Sequence, residues 1–174
     1  MALPKLVLTD IDGVWTDGGM YYDNAGNELK KFNTSDSAGV LFCKMLNIPL
    51  GIVTGEKNDI VIKRAEKLDI DILYMGVKNK LGVVEELSSQ FKIPMSEIAY
   101  IGDDINDIKV LKTVGVSACP ANAPDYIKKH VSVVLRKNGG EGVFREFIEH
   151  LLKENQQLET VIELYLNHNV GYKQ

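Results

Sequence analysis

Short runs of apolar residues alternate along the chain with longer segments in which apolar residues recur every three or four positions. Most of the short runs are rich in Val, Ile and Leu and have no polar face, which is typical of parallel strands buried on both sides. The runs predict strands at residues 5–11, 49–55, 71–77, 98–104, 116–119 and 131–135. The periodic segments predict helices at residues 36–46, 58–68, 80–91, 107–114 and 124–130. Their alternation predicts an α/β fold built on a doubly wound parallel sheet.

Two segments depart from this alternation. Residues 20–32 predict a β-hairpin with turn residues at 23–26, placed directly after the first strand. Such a hairpin is either a surface feature or a flap over whatever binds at the end of that strand. From Glu141 onward the pattern is mostly helical, and one apolar face is formed by Leu158, Val161, Ile162 and Tyr165. That face packs either on its own domain or on a neighbouring subunit.

Length and charge narrow the function classes. A chain of 174 residues has the size of one domain, so residues 1–174 are predicted to form a single core domain with residues 151–174 as a C-terminal helical extension. With 20 basic and 24 acidic residues and no basic run, the chain is not expected to bind nucleic acid or a membrane surface. It has no apolar stretch of transmembrane length and only two cysteines, and we expect a soluble, reduced, cytoplasmic protein.

The polar residues that carry chemistry stand where the predicted strands end. Asp10 and Asp12 follow the first strand, Thr54 the second and Asp103 the fourth, while Lys80 begins the helix after the third. Ligands of doubly wound sheets bind at the carboxyl ends of the strands. We therefore expect these five side chains to converge on one site.

Carboxylates that converge in this way need a cation. Two of them about 4 Å apart repel each other by about 4 kcal/mol at an effective dielectric constant near 20. A set of oxygen ligands without His or Cys suits Mg²⁺ better than Zn²⁺. The sequence therefore predicts a magnesium site at Asp10, Asp12 and Asp103, and Lys80 supplies further positive charge for an approaching phosphate.

Four motifs, in this order, resemble those of the haloacid dehalogenase superfamily of phosphohydrolases: DIDGVWTDG (10–18), Val53-Thr54-Gly55, Lys80 and GDDIND (102–107). The resemblance implies a Rossmann-like sheet with a hairpin flap after the first strand. It also implies that Asp10 is a nucleophile forming an aspartyl-phosphate, with Asp12 as general acid and then general base. Thr54 and Lys80 would hold the phosphoryl oxygens.

The same resemblance implies how the metal is held. Asp10, Asp103 and the backbone carbonyl of Asp12 would bind Mg²⁺, and Asp104 and Asp107 would support the metal or Lys80. Superfamily members that act on small metabolites usually carry a cap domain between these motifs. Only 41 residues separate Asp12 from Thr54 and 25 separate Thr54 from Lys80, and the flap, helices and third strand use up both intervals. We therefore expect no cap domain.

Among capless members, the chain resembles phosphatases of sugar-acid phosphates in KKFNTSDSAG (30–39), the Lys-Leu pair at 80–81 and GGEGVFRE (139–146). The resemblance implies a phosphorylated 2-keto-3-deoxy sugar acid as the substrate. It also implies a homotetramer in which neighbouring subunits complete the active site, with residues 139–146 in a C-terminal region that reaches an adjacent site. In the first segment, the predicted substrate-binding residues are Asn33, Thr34, Ser35 and Ser37.

The choice of substrate within this branch depends on few residues. Enzymes for octulosonate 8-phosphate usually have Thr-Gly-Arg after the second strand, whereas this chain has Glu56 after Gly55. Glu56, together with Arg64 and Lys67 on the next helix, is more similar to the nononate enzymes. Gly55, Glu56, Arg64 and Lys67 are therefore predicted to bind substrate, unless they form a solvated charged face. These residues favour nononate 9-phosphate or N-acylneuraminate 9-phosphate as the predicted substrate, with octulosonate 8-phosphate as the alternative.

Two functions without turnover stay open at this point. A phospho-acceptor signalling module also combines acidic residues, a Thr and a Lys around Mg²⁺, but it has its acceptor Asp after the third strand. Here that strand ends in Tyr74-Met75-Gly76, and Lys80 precedes Asp103. A regulatory domain that only binds a sugar acid would not need all the catalytic positions, and these are intact.

Overall fold

The predicted alternation of strands and helices is confirmed in the computed structural model, which describes residues 3–167. The strands are β1 (Leu6–Thr9), β2 (Tyr21–Tyr22), β3 (Glu28–Leu29), β4 (Leu50–Val53), β5 (Ile72–Tyr74), β6 (Ile98–Ile101), β7 (Val116–Cys119) and β8 (Val133–Val134). The helices are α1 (Asp36–Met45), α2 (Asp59–Lys67), α3 (Lys80–Phe91), α4 (Ile108–Leu111), α5 (Asp125–Lys128), α6 (Val143–Glu154) and α7 (Leu158–Asn167). Single 3₁₀ turns precede β6 (Met95–Glu97) and α4 (Ile105–Asp107).

The main sheet has the strand order β5-β4-β1-β6-β7-β8, and all its neighbours pair in parallel. From β1 the chain moves outward through β4 to β5, and it then returns to pair β6 with the other edge of β1. Val7 of β1 is aligned with Leu50 on one side and with Ala99 on the other. The order reverses at this point, so the crevice that binds ligands in such sheets is expected beside the carboxyl end of β1.

The core lies on both faces of the sheet. Successive side chains of a strand point to opposite faces, and Val7 belongs to a cluster with α1, α2, α6 and α7. Leu6 and Leu8 belong to the opposite cluster with α3, α4 and α5. Strands β1, β4, β6 and β7 are buried over their whole length, as their apolar runs predict. The predicted doubly wound α/β sheet is thus confirmed.

The hairpin after the first strand is present but short. Strands β2 and β3 pair antiparallel over two residues each, and the turn between them is closed by bonds between Asp23 and the backbone of Gly26 and Asn27. Met20, Tyr22 and Leu29 are more than half exposed. The hairpin therefore does not belong to the core.

The predicted bounds differ most for short elements. The helix predicted at 107–114 is α4, which begins after the 3₁₀ turn because the Asp104 side chain caps that turn by accepting from the N–H of Ile105. The helix predicted at 124–130 is the four-residue α5, and the strand predicted at 131–135 is the two-residue β8. Periodicity alone does not locate such ends.

The C-terminal part consists of α6 and α7, separated by Gln156 at a positive φ of 54°. Residue 151, the predicted start of an extension, lies inside α6, and residues 168–174 lie outside the described part. On the predicted apolar face of α7, Val161 is fully buried, whereas Ile162 and Tyr165 are each 42% exposed. The face therefore packs partly on its own domain. Across residues 3–167, no helix combines the length and apolarity needed to cross a membrane.

Candidate active site

Asp10 follows β1 directly, at the point where the carboxyl ends of β1 and β6 lie side by side. Its backbone N–H donates to the carbonyl of Ile101 at 3.0 Å, and its Oδ1 accepts from the N–H of Ile11 at 2.8 Å. The other oxygen, Oδ2, accepts from Nζ of Lys80 at 2.6 Å. Asp10 is thus a nearly buried carboxylate with a cation against it and a backbone fixed on the central strands.

Lys80 is held by a second carboxylate. Its buried Nζ also donates to Oδ1 of Asp107 at 2.7 Å. Asp107 in turn accepts from the hydroxyl of Tyr100 and from the backbone N–H groups of Asp103 and Asp104. Burial disfavours the ammonium, yet the charges of its two carboxylate partners hold the pKa of Lys80 above its usual value. Lys80 is therefore a charged and fixed group, and Asp107 is its support, whereas Asp104 is exposed and caps the following turn.

The carboxylates form a cluster that fits a divalent cation. Ligand oxygens of Asp10, Asp103 and Asp107 lie within 4.8 Å of one another, and Oδ1 of Asp103 is buried without a hydrogen-bond partner in the described part of the chain. Burial and the charge of Asp10 raise the pKa of Asp103 to about 8. Burial likewise raises the pKa of Asp10 to about 7. The carboxylate of Asp107 accepts four hydrogen bonds, whereas that of Asp10 accepts two, so Asp10 and Asp103 have the greater capacity to act as the acidic oxygen ligands that Mg²⁺ prefers.

Glycines fix the loop that follows Asp10. Gly13 has a φ of +79°, and a Cβ there would lie 1.9 Å from Oδ2 of Asp103. A Cβ on Gly139 would lie 1.9 Å from the carbonyl oxygen of Gly13, and the N–H of Gly140 donates to the carbonyl of Val14 at 2.9 Å. The start of the segment 139–146 thus packs on the loop after Asp10 of its own chain, which the resemblance did not imply.

Asp12 points away from the carboxylate cluster. Its Oδ1 accepts from Nζ of Lys30 at 2.7 Å and from the hydroxyl of Thr16 at 3.3 Å. Its Oδ2 is buried and has no hydrogen-bond partner within residues 3–167. The side chain of Asp12 is not in the candidate cation cluster, which agrees with the implied metal contact through its backbone carbonyl.

Thr54 follows β4 at the same edge of the sheet and is 1% exposed. Its N–H donates to the carbonyl of Tyr74 at 2.9 Å, and its own carbonyl accepts from the N–H of Val77 at 3.1 Å. Gly55 and Glu56 after it are exposed, and Oε2 of Glu56 lies 3.1 Å from Nζ of Lys30. Backbone bonds to the end of β5 therefore fix the position of Thr54.

The predicted substrate-binding segment before α1 hydrogen-bonds within the chain. The amide of Asn33 donates to the carbonyl of Gly140 at 3.2 Å, and its Oδ1 accepts from the hydroxyl of Ser35 at 2.8 Å. Thr34 is exposed. These contacts connect the segment to the loop at 139–142, which itself packs on the loop after Asp10.

Arg64 of α2 also binds its own chain. Its Nη2 donates to the hydroxyl of Ser37 at 3.3 Å, and its guanidinium lies 5.9 Å from the ring centre of Trp15 and 5.7 Å from that of Phe32. Lys67, one turn further along α2, is exposed. A substrate-binding role for either residue stays a prediction.

Sequence reasoning missed two members of this site. Lys30 lies in a motif that the sequence analysis noted, but nothing in the pattern distinguishes it from Lys31. Tyr100 looks like a core residue of a buried strand, and only its hydroxyl in an apolar run hinted at a polar partner. Both contacts depend on the tertiary fold.

Comparisons with known proteins identify the family of the chain. Residues 43–147 match the family described as haloacid dehalogenase-like hydrolase. The chain is 34% identical over 149 residues to the 3-deoxy-D-manno-octulosonate 8-phosphate phosphatase of Haemophilus influenzae, covering 86% of this chain and 83% of that protein. It is 36% identical over 155 residues to the enzyme of the same name from Escherichia coli K12, covering 89% and 82%.

Solved structures of phosphatases are also similar to this chain in fold. The 3-deoxy-D-manno-octulosonate 8-phosphate phosphatase of Moraxella catarrhalis, in complex with magnesium ion, phosphate ion and KDO, superimposes with a TM-score of 0.89 at 31% identity over 93% of both chains. A probable YrbI family phosphatase from Pseudomonas syringae superimposes with a TM-score of 0.91 at 36% identity, over 96% of this chain and 95% of that one.

Proposed function

This chain belongs to the haloacid dehalogenase-like hydrolases and hydrolyses phosphoric monoesters, and from this premise we propose that its substrate is 3-deoxy-D-manno-octulosonate 8-phosphate. The observation that carries the proposal is the likeness to octulosonate phosphatases over more than four fifths of both chains. The comparisons thus favour the substrate that the sequence analysis held as the alternative, and they do not support the preference for a nononate that rested on Glu56.

Asp10 is the proposed nucleophile. One of its carboxylate oxygens attacks phosphorus, the bond from phosphorus to the ester oxygen breaks, and an aspartyl-phosphate forms. Water then attacks this phosphorus, and the carboxylate of Asp10 leaves. The support for this role is the position of Asp10, which stands at the switch point of the sheet with its backbone bound to β6 and Lys80 at 2.6 Å.

Lys80 and Thr54 are proposed to hold the phosphoryl oxygens. Two carboxylates immobilise the ammonium of Lys80, so it requires little reorganisation when charge develops on the phosphoryl group. Asp10, Asp103 and the carbonyl of Asp12 are proposed to bind Mg²⁺. When bound, Mg²⁺ would neutralise the clustered carboxylates and the charge of the phosphate ester.

Asp12 is the proposed general acid and base. It gives a proton to the departing alcohol oxygen in the first step and takes one from the attacking water in the second. An alkoxide is a poor leaving group, and a positioned acid of this kind contributes about 10²–10⁴-fold to such a step. The support is a carboxylate two residues after Asp10 that has one oxygen without a partner in the described residues.

A nononate 9-phosphate is a second candidate substrate, and the specific observation in its favour is Glu56. This exposed carboxylate stands two residues after Thr54, where an octulosonate enzyme usually has Arg. A carboxylate in place of that Arg removes a cation that could bind the substrate's carboxylate there, and its oxygens can accept from hydroxyl groups of the longer nononate.

A substrate panel tests the proposal. We would measure kcat/KM with Mg²⁺ for octulosonate 8-phosphate, nononate 9-phosphate, N-acetylneuraminate 9-phosphate and p-nitrophenyl phosphate. We expect octulosonate 8-phosphate to exceed the aryl phosphate by at least about tenfold, which corresponds to about 1.4 kcal/mol of discrimination. A higher value for a 9-phosphate would favour the second candidate. No sugar-acid phosphate above the aryl phosphate would refute the substrate class.

The same panel decides between turnover and a phospho-acceptor or regulatory role. Multiple release of inorganic phosphate per chain is expected of the enzyme. A stable phosphoprotein or sugar-acid binding without release would contradict it.

A homotetramer that completes the active site is part of the proposal. Its support is the exposed apolar surface of the hairpin, in which Met20 is 57%, Tyr22 60% and Leu29 61% exposed. Light scattering after gel filtration should give four times the chain mass, and Tyr22→Ser with Leu29→Ser should lower it. A monomeric wild type that is fully active would contradict this part.

A further inference from the structure

The hairpin carries one buried charge among exposed side chains. Lys30 follows β3 directly, and its side chain is 3% exposed, although Leu29 beside it is 61% exposed. The next residue, Lys31, has 70% of its side chain exposed. Burying an ammonium is costly unless carboxylates neutralise it, so the position of Lys30 calls for a specific partner.

Three carboxylates surround the ammonium of Lys30. Its Nζ lies 2.7 Å from Oδ1 of Asp12, 3.1 Å from Oε2 of Glu56 and 3.3 Å from Oε1 of Glu28. An ammonium has three N–H donors and no acceptor. Two of these donors have hydrogen-bond acceptors, on Asp12 and Glu56, and the Glu28 carboxylate pairs with the same charge, so the ammonium is already neutralised without a substrate carboxylate. We therefore look for the role of Lys30 in the carboxylates that it binds.

The ion cluster connects three parts of the chain. Lys30 and Glu28 belong to the hairpin, Asp12 to the loop after β1, and Glu56 to the loop after β4. Glu28 also accepts from the side-chain amide of Asn58 at 2.7 Å, and Asn58 caps α2 through its own Oδ1. Lys30 is thus connected through Glu28 and Asn58 to the start of α2.

Lys30 separates the roles of the two oxygens of Asp12. Oδ1 accepts from Lys30 and from the hydroxyl of Thr16, whereas Oδ2 is buried and has no partner within residues 3–167. Rotation of the carboxylate would break the 2.7 Å contact with Lys30. Oδ2 is therefore the oxygen left to exchange a proton with the substrate.

We propose that Lys30 is a positioning residue that fixes the general acid–base Asp12 by its Oδ1 and so aims Oδ2 at the leaving group; this rests on the proposed function. As the bond from phosphorus to the ester oxygen breaks, its electron pair stays on that oxygen, which takes the proton of Asp12 Oδ2. In the second step water gives a proton to the same oxygen as it attacks phosphorus and Asp10 departs. Lys30 itself neither gives nor takes a proton.

The test is the dependence of kcat/KM on the leaving group. This quantity reports the chemistry up to departure of the first product, so the hydrolysis of the aspartyl-phosphate does not enter. We would compare phenyl phosphate, which needs an acid, with 2,4-dinitrophenyl phosphate, which needs little help. For Lys30→Met we expect about a hundredfold loss on phenyl phosphate and less than about fivefold on the dinitrophenyl ester. Asp12→Asn provides the reference for full loss of the acid.

Lys31→Met is the matched control, because it removes the same charge from the same hairpin. Its Nζ lies 3.8 Å from Asp17 and does not approach Asp12. We expect it to leave both esters within about twofold of wild type, and Lys30→Arg to restore part of the phenyl phosphate activity. Melting curves and circular dichroism establish that each variant is folded.

The outcomes separate the hypotheses. A loss of equal size on both esters would show that Lys30 only holds the hairpin and would overturn the proposal, as would unchanged activity on phenyl phosphate. Both esters are generic, so the result does not depend on which sugar acid is the substrate. A wild type that hydrolyses neither ester nor any sugar-acid phosphate would instead refute the proposed function.

Discussion

Replacement of Gly13 by alanine is expected to reduce activity much more than it reduces the stability of the fold. The new Cβ would lie 1.9 Å from Oδ2 of Asp103, whereas real Cβ atoms essentially never approach closer than 3.0 Å. The carboxylate would have to retreat by the difference, about 1.1 Å. Oδ1 of Asp103 has no hydrogen-bond partner in the described residues, so the side chain can rotate away without breaking a hydrogen bond of that oxygen. The rotation would instead weaken the binding of a cation by Asp103.

The expected size of each effect follows from the structure. An alanine at a φ of +79° costs about 1–2 kcal/mol of stability, which lowers the melting temperature of a chain of this size by roughly 2–8 °C. A displacement of about 1 Å in the catalytic geometry costs about a hundredfold in rate. We therefore expect Gly13→Ala to remain folded and to lose about a hundredfold in kcat/KM, with weaker Mg²⁺ binding.

Gly26→Ala is the matched control. Gly26 has a nearly equal φ of +83° in the hairpin turn, and a Cβ added there would meet no atom within 4 Å. Thermal melting should show a similar loss of stability for both variants, while Mg²⁺ titration and kcat/KM should change only for Gly13→Ala. Equal activities for the two variants would refute the inferred closeness of Gly13 and Asp103.

The remaining predictions concern pH. The carboxylate of Asp36 accepts from the N–H of Arg145 at the start of α6, and burial raises its pKa from 3.8 to about 6, so its protonated form is favoured in the folded chain. The stability that the protonated Asp36 contributes is present below pH 3.8 and is lost as the pH rises to about 6. In urea titrations, the free energy of unfolding of Asp36→Asn minus that of wild type should therefore rise by about 3 kcal/mol between pH 3.8 and 7. A difference that does not change with pH would contradict this. Burial also raises the pKa of Asp10 to about 7 and of Asp103 to about 8, so Mg²⁺ must displace protons at low pH. Calorimetry should show the apparent Mg²⁺ affinity rising by up to about a hundredfold per pH unit below about pH 7, where both carboxylates are protonated, and by up to about tenfold per unit between about pH 7 and 8. An affinity independent of pH would oppose this reasoning.

Residues at the ends of buried strands were predictable from the sequence. A strand in the middle of a parallel sheet is apolar on both faces, so a polar residue within one or two positions after it marks the strand's end and the edge of the sheet. That reasoning located Asp10, Thr54 and Asp103, and the order of the elements brought Lys80 to the same edge. The short distances among their side chains confirm the predicted convergence of Asp10, Asp103 and Lys80.

Contacts between residues distant in sequence were not predictable in the same way. Lys30 directly follows a strand of two residues, too short for alternation to show which side chain points inward. Asp36 looks like an ordinary residue in the first turn of α1, yet its partner, the N–H of Arg145, lies 109 residues away. Such pairings follow from how α1 and α6 pack, which local patterns do not encode.

The central claim is that Asp10 carries the phosphate during turnover, and a single-turnover experiment tests it most directly. Enzyme in excess would be mixed with octulosonate 8-phosphate and Mg²⁺, quenched in acid within milliseconds to seconds, and digested for mass spectrometry. The account predicts a phosphate that appears on Asp10 and then disappears as inorganic phosphate is released, with none on Asp10→Asn. Release of phosphate by wild type without any phosphorylated Asp10, or turnover by Asp10→Asn at the wild-type rate, would contradict it.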